Sequence, residues 1–110
     1  MGYRVYEYVD AQGDKPWRQW LETLDTSVRA RVQVCIWRVQ EGNLGDHKAV
    51  GAGVWELRLH FGSGYRVYCG LQLDKGLVVL LVGGNKGSQQ KDIRLARQLW
   101  QQWKREEKHG

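Results

Sequence analysis

The chain has 110 residues, a net charge of +5 and a hydrophobic fraction of 42%, including six tryptophans. That length suits one modest core, here read as a single domain over residues 1–110, and the apolar content excludes a disordered chain. No run of about 18 apolar residues is present, and the opening MGYRVYEYVD lacks an apolar signal core, so neither a helical membrane span nor a secretory leader is expected.

The charge is uneven. Residues 1–53 carry seven Lys/Arg and seven Asp/Glu, whereas residues 54–110 carry ten and five. The excess in the second half suits a polyanionic partner. Cys35 and Cys69 each lie in an apolar segment and read as reduced core thiols of a cytosolic protein.

Taken in order, Tyr3–Val9 is rich in β-formers and predicts a first strand. Gly13 breaks it, Asp14 is placed to cap a helix, and Pro16 suits that helix's first turn. Trp17, Trp20, Leu21 and Leu24 then recur on one helical face, a spacing that marks core packing rather than base stacking. A second helix begins at Asp25 or Thr26, with Val28, Val32, Cys35, Ile36 and Val39 as its buried stripe. Almost no loop separates the two helices, which predicts an antiparallel helical hairpin on a sheet. Gly42 and Asn43 signal its end.

Asn43–Gly53 is a glycine-rich loop holding His47 and Lys48. It lacks the Gly-Lys-Ser/Thr ending of a phosphate-binding loop, which excludes nucleoside triphosphate binding of that kind. His47, His60 and His109 have no metal-ligand spacing, and no paired cysteines or nucleophile elbow occur, so no metal or cofactor is expected.

The next stretch predicts three strands. Val54–Phe61 alternates, with Trp55, Leu57, Leu59 and Phe61 on one face and Glu56, Arg58 and His60 on the other. Gly62-Ser63-Gly64 is the turn, and Tyr65–Gln72 returns with Arg66 and Tyr68 away from the core face. Pairing Phe61 with Tyr65 across that turn would set His60 opposite Arg66 and Arg58 opposite Tyr68. The polar face then reads either as an anion site or as a solvated surface with a Glu56–Arg58 pair. Gly76–Val82 is apolar on both faces and needs cover on both, from the helical hairpin and from either the last helix or a partner. Ser88 is placed to cap a last helix whose stripe is Ile93, Ala96, Leu99, Trp100 and Trp103, ending in a charged, frayed tail. The order is β-α-α-β-β-β-α, an α+β chain with a three-strand antiparallel meander plus an N-terminal strand.

That order, with the runs GNLGDHKAVGAGVWELRLHFGSGYRVY and LLVGGNKGSQQKDIRLA, resembles the RelE/ParE toxin superfamily, in particular the HigB-like "addiction module killer protein" branch, also called phage Gp49-like. The likeness extends from about Trp17 to Leu99. It implies the RelE-like fold and a bacterial, phage-derived toxin of a type II toxin–antitoxin module, acting in the cytoplasm as a ribosome-dependent mRNA endonuclease (an mRNA interferase). A co-expressed helix-turn-helix antitoxin would neutralise it. A ParE-like gyrase inhibitor and a phage-derived nucleic-acid-binding or interaction protein are the alternatives. By motif position the resemblance implies Arg58, Arg66 and Lys86 as basic catalytic residues, with His60 as a titrating group between the arginines. Lys48 and Tyr68 border the same face as RNA-binding residues. Two departures stand out. Glu56 occupies a position where RelE has lysine, and no tyrosine stands near Asp92.

Metal-free RNA cleavage needs a proton acceptor for the 2′-OH, charge stabilisation at phosphorus and a proton for the leaving oxygen. Arginine, always charged and able to bind phosphate bidentately, suits the second task. Histidine suits the first. The expected antitoxin covers the basic face, with apolar anchors near Trp100 or Trp103 supplying much of the affinity.

Overall fold

The computed structural model describes residues 2–109. Its elements are β1 (Arg4–Glu7), α1 (Pro16–Glu22), α2 (Thr26–Gln40), β2 (His47–Ala49), β3 (Val54–Leu59), β4 (Tyr65–Gln72), β5 (Leu77–Gly84) and α3 (Gln89–His109). The strands form one sheet in the order β1-β5-β4-β3-β2. β1 runs parallel to β5, and every other pair is antiparallel. The expected α+β class and the β3-β4-β5 meander are both present. The strand β2 is an addition. All three of its residues are exposed, so it has no apolar alternation to reveal it, and it is held to β3 by backbone pairing.

Local chemistry sets the helix ends. Pro16 opens α1, but Lys15 takes the capping position without a side-chain bond. Asp14 does not cap. Its own N–H donates to Asp10 Oδ1, which also accepts from Gln12. Asp25 caps α2 by accepting from Val28 N–H. At the other end Gly42, at φ 97°, donates to Val39 O while Asn43 donates to Arg38 O, the paired bonds of a Schellman motif. α3 continues helical to His109 rather than fraying at its charged end.

Two cores lie on opposite faces of the sheet. Under the helical hairpin, Trp17, Leu21, Val32 and Val39 pack on Leu57, Leu59, Val67, Cys69, Val78 and Leu80. Under α3, Ala96 and Trp100 pack on Val54, Tyr68, Val79 and Leu81, joined by Tyr8. All eight residues of β5 are buried. α3 alone therefore supplies the second cover, and no partner is needed for it. This removes Trp100 from the expected apolar anchors and leaves Trp103, which is half-buried. Trp100 is buried, and Trp103 stacks on it with ring centroids 4.9 Å apart. Burying one tryptophan removes ~150–250 Å² from water, worth about 4–6 kcal/mol as an upper bound.

Both cores depend on close approach at glycine. A methyl group on Gly70 would stand 2.2 Å from Trp100 Cε3, and one on Gly83 would stand 2.2 Å from Trp20 Cε3. Indole faces rest directly on the β4 and β5 backbones. Gly70→Ala should therefore destabilise the protein by about 1–3 kcal/mol through overpacking. Thermal unfolding should register this as a fall of about 4–8 °C per kcal/mol. An unchanged midpoint would show that Trp100 can move aside freely.

Candidate active site at the end of the sheet

The β3–β4 connection is longer than the sequence implied. Leu59, not Phe61, pairs with Tyr65, so the connection runs from His60 to Gly64. Phe61 leaves the strand line because its ring packs against Tyr65, with centroids 5.3 Å apart, beneath the Arg31 guanidinium at 4.5 Å. Gly62 and Gly64, at φ 59° and 79°, turn the chain there. The register moves by two residues, which keeps each side chain on its expected face but changes its partner. Arg58 stands opposite Arg66, and Glu56 stands opposite Tyr68.

Two directly opposed arginines repel each other. Glu56 offsets this repulsion. It is completely buried under α3, not part of a solvated face. Its carboxylate accepts from Arg58 Nε at 3.1 Å, Tyr68 Oη at 3.1 Å and Gln89 Nε2 at 2.8 Å. Arg66 Nε lies 3.5 Å away, a charge contact without hydrogen-bond geometry. Burial alone would raise the Glu56 pKa. The bonds from Gln89, Arg58 and Tyr68, together with the Arg66 charge, outweigh burial and hold it below the ordinary range. Burial first, and then the Glu56 charge, push the Tyr68 hydroxyl up, so it stays a neutral donor.

Beyond this cluster the sheet ends in an open groove of about 370 Å³ lined by Arg58, His60, Phe61, Arg66 and Lys86. Both arginines keep part of their surface in it, with side-chain exposures of 31% and 15%. Arg66 Nη1 also donates to Gly64 O, which ties it to the turn. Lys86 is exposed on a 3-10 turn, Lys86–Ser88, capped by Asn85. Ser88 closes that capping box by accepting from Asn85 N–H rather than from an N–H of α3, and its hydroxyl donates to the buried Asp92 at 2.5 Å. Gly84 gives Asp92 its room, since a methyl group there would meet Asp92 Oδ2.

The structure thus gathers Arg58, Arg66, Lys86 and His60 around one groove. His60 is not opposite Arg66. It sits exposed in the turn with Nε2 2.6 Å from Asp46 Oδ2. In the neutral ring, donation to that carboxylate places the proton on Nε2 and leaves Nδ1 as the acceptor. Tyr68 and Lys48 do not join the groove. Tyr68 is wholly buried and cannot meet RNA; its role is to hold Glu56. Lys48 is exposed on β2 and lines a separate cavity with Arg94 and Arg97. The sequence reading missed Gln89 and Asp46, whose partners lie 33 and 14 residues away with no local pattern to announce them. Among the described residues no group of three His, Cys, Asp or Glu is placed to hold a metal, and no helix is long and apolar enough to cross a membrane.

Residues 19–101 match the family described as phage derived protein Gp49-like. A Haemophilus influenzae protein named only as uncharacterized is 46% identical over 85 residues, covering 76% of this chain and 84% of its own. The fold is similar to that of a mutant of the E. coli toxin RelE in the free state, with a TM-score of 0.61 at 19% identity over 86% of this chain and 92% of that one.

Glu56→Gln keeps shape but removes the charge facing two arginines. It should cost about 2–3 kcal/mol at neutral pH, less than a fully buried pair because both arginines reach water. Glu56 stabilises the fold above its unfolded-state pKa of about 4.3, and this contribution fades as pH falls through its lower folded value. Urea unfolding of both proteins should therefore show a gap that is full at pH 7 and narrows below about pH 4. A gap independent of pH would mean that the carboxylate charge is not what stabilises the cluster.

Proposed function

The chain belongs to the phage-derived Gp49-like family, in the RelE/HigB-like branch, and from that premise we propose that it is the toxin of a type II toxin–antitoxin module that cleaves mRNA on the ribosome. One observation carries the reading: Arg58, Arg66 and Lys86 converge on a single open groove, with the two arginines aimed by a buried carboxylate. A groove lined by three cations, two of them held in place, is suited to a phosphodiester whose charge rises during reaction. The partner in this reading is a co-expressed helix-turn-helix antitoxin that covers or distorts the groove, and the site of action is the cytoplasm.

The reaction follows from these groups. The ribose 2′ oxygen attacks phosphorus and the 5′ oxygen leaves, giving a 2′,3′-cyclic phosphate and a 5′-hydroxyl. His60 Nδ1 takes the 2′ proton, while Asp46 fixes the ring through Nε2. Arg58 and Arg66 hold the non-bridging oxygens, and Lys86 adds positive charge beside them. The leaving oxygen takes its proton from water.

Induced expression followed by primer extension on cellular transcripts tests the reading. Growth arrest with new mRNA 5′ ends supports it. Arrest without new ends rejects cleavage and favours a gyrase-directed or other target, and no arrest favours a non-toxic binding protein. Arg66→Gln should lower cleavage by ~10²–10³ through loss of one oxyanion donor. It should also soften the fold slightly, because Arg66 faces Glu56, so melting must be measured alongside. Full toxicity in Arg66→Gln would remove Arg66 from the site.

The Asp46 role predicts a different pattern. Asp46→Ala should slow cleavage about tenfold, and Asp46→Asn should restore most of the rate, since its amide oxygen still accepts from Nε2–H. Equal loss in both variants would mean that Asp46 acts by its charge rather than by orienting the ring.

A further inference from the structure

A second cavity adjoins the groove, and the proposed reaction does not use it. It measures about 480 Å³ and lies between α2 and the loop Asn43–Asp46. Arg58, Leu59, His60 and Phe61 line both spaces, so the two form one path around the tip of the β3–β4 turn. Its walls combine two kinds of surface. Val34, Cys35, Leu44 and Phe61 are apolar, while Arg31, Arg38 and Arg58 are cationic. Its lining includes a single carboxylate, Asp46, already bonded to His60.

We propose that this cavity is a nucleotide subsite that receives the RNA strand two or more residues beyond the pair that flanks the scissile phosphate. The inference rests on the nuclease reading and adds where the strand goes from the groove. Two physical arguments favour RNA. First, the charge is one-sided and continuous with the cations of the groove, as a polyanionic strand requires. Second, an apolar wall carrying an aromatic ring, with guanidinium groups beside it, suits a base with its phosphates alongside. Arg31 already lies over the Phe61 ring at 4.5 Å, which holds one cation at the junction of the two spaces. Arg38 lies seven residues further along α2, about 10 Å at 1.5 Å per residue, so the cations are spread along the path rather than gathered at one point. Both arginines are exposed and free of acidic partners among the described residues, so no ion pair within the protein neutralises their charge.

The test uses the full chain and two fluorescein-labelled, 2′-O-methylated RNAs, one of three and one of nine nucleotides, which bind but cannot be cut. Fluorescence anisotropy over a salt series is the measurement. The longer RNA should bind the wild-type protein more tightly than the shorter one. Arg31→Gln with Arg38→Gln should weaken the nine-mer about tenfold, leave the three-mer unchanged, and reduce the salt slope by about 1.4, near 0.7 for each phosphate contact on a single strand. Val34→Trp, which fills the cavity from an exposed helix position and removes no charge, should abolish the same length-dependent gain. Variants that bind both RNAs as the wild type does overturn the subsite. So does a loss of affinity confined to the purified antitoxin, which would make the cavity a protein-docking site. Wild-type protein that binds neither RNA also overturns it, while the mapping of transcript ends decides separately whether the cleavage reading stands.

Discussion

The fold and the groove both depend on one buried negative charge. Glu56 lies within the hydrogen-bonded middle of the sheet, with α3 closed over it. A carboxylate placed there without partners would carry a desolvation cost of several kcal/mol. The surrounding residues are what make it tolerable: a tyrosine across the strand, an amide at the start of α3 and two arginines whose far ends reach solvent. The arrangement works in both directions. The arginines keep Glu56 ionised, and Glu56 lets two arginines face each other across adjacent strands. Without it, mutual repulsion would splay them and the groove would lose its shape.

The second constraint is steric. Trp100 and Trp20 rest on glycines of β4 and β5, so the helices on both faces sit as close to the sheet as backbone atoms allow. That closeness brings Gln89, at the first turn of α3, within 2.8 Å of Glu56. Packing in the middle of α3 thereby positions a polar contact at its start. The turn carrying Lys86 is fixed in the same way, through Ser88, Asp92 and the space left by Gly84.

Much of this was legible in the sequence, for identifiable reasons. The helical stripes, the alternation of β3 and β4 and the doubly apolar β5 are periodic signals that burial imposes, and each side chain appears on the face its position implied. Pairing partners were not legible. Phe61 looks like the next core residue of a strand, and only its packing against Tyr65 and Arg31 shows that the strand has already ended. The polar face was misjudged because Glu56, Arg58, Arg66 and Tyr68 are surface types by composition. Whether α3 covers them depends on where Trp100 lands, which no local pattern encodes. For the same reason Tyr68 looked available to RNA and is instead a buried donor. Arg58, Arg66 and Lys86 were recognisable from the motif runs that contain them, whereas Asp46 and Gln89 matter only through partners distant in sequence.

The parallel pairing of β1 with β5 has a consequence for how the molecule comes into being. Arg4 lies beside Leu77, and Glu7 beside Leu80. The first strand therefore has no place to dock until β5 has been made, and the sheet cannot close around it earlier. Lys86 and Gln89 follow β5 in the chain, so one of the groove's three cations and the amide that holds Glu56 are made later still. Contacts this distant make folding slow relative to a local helical bundle. A nascent chain consequently passes through most of its synthesis with its groove unassembled.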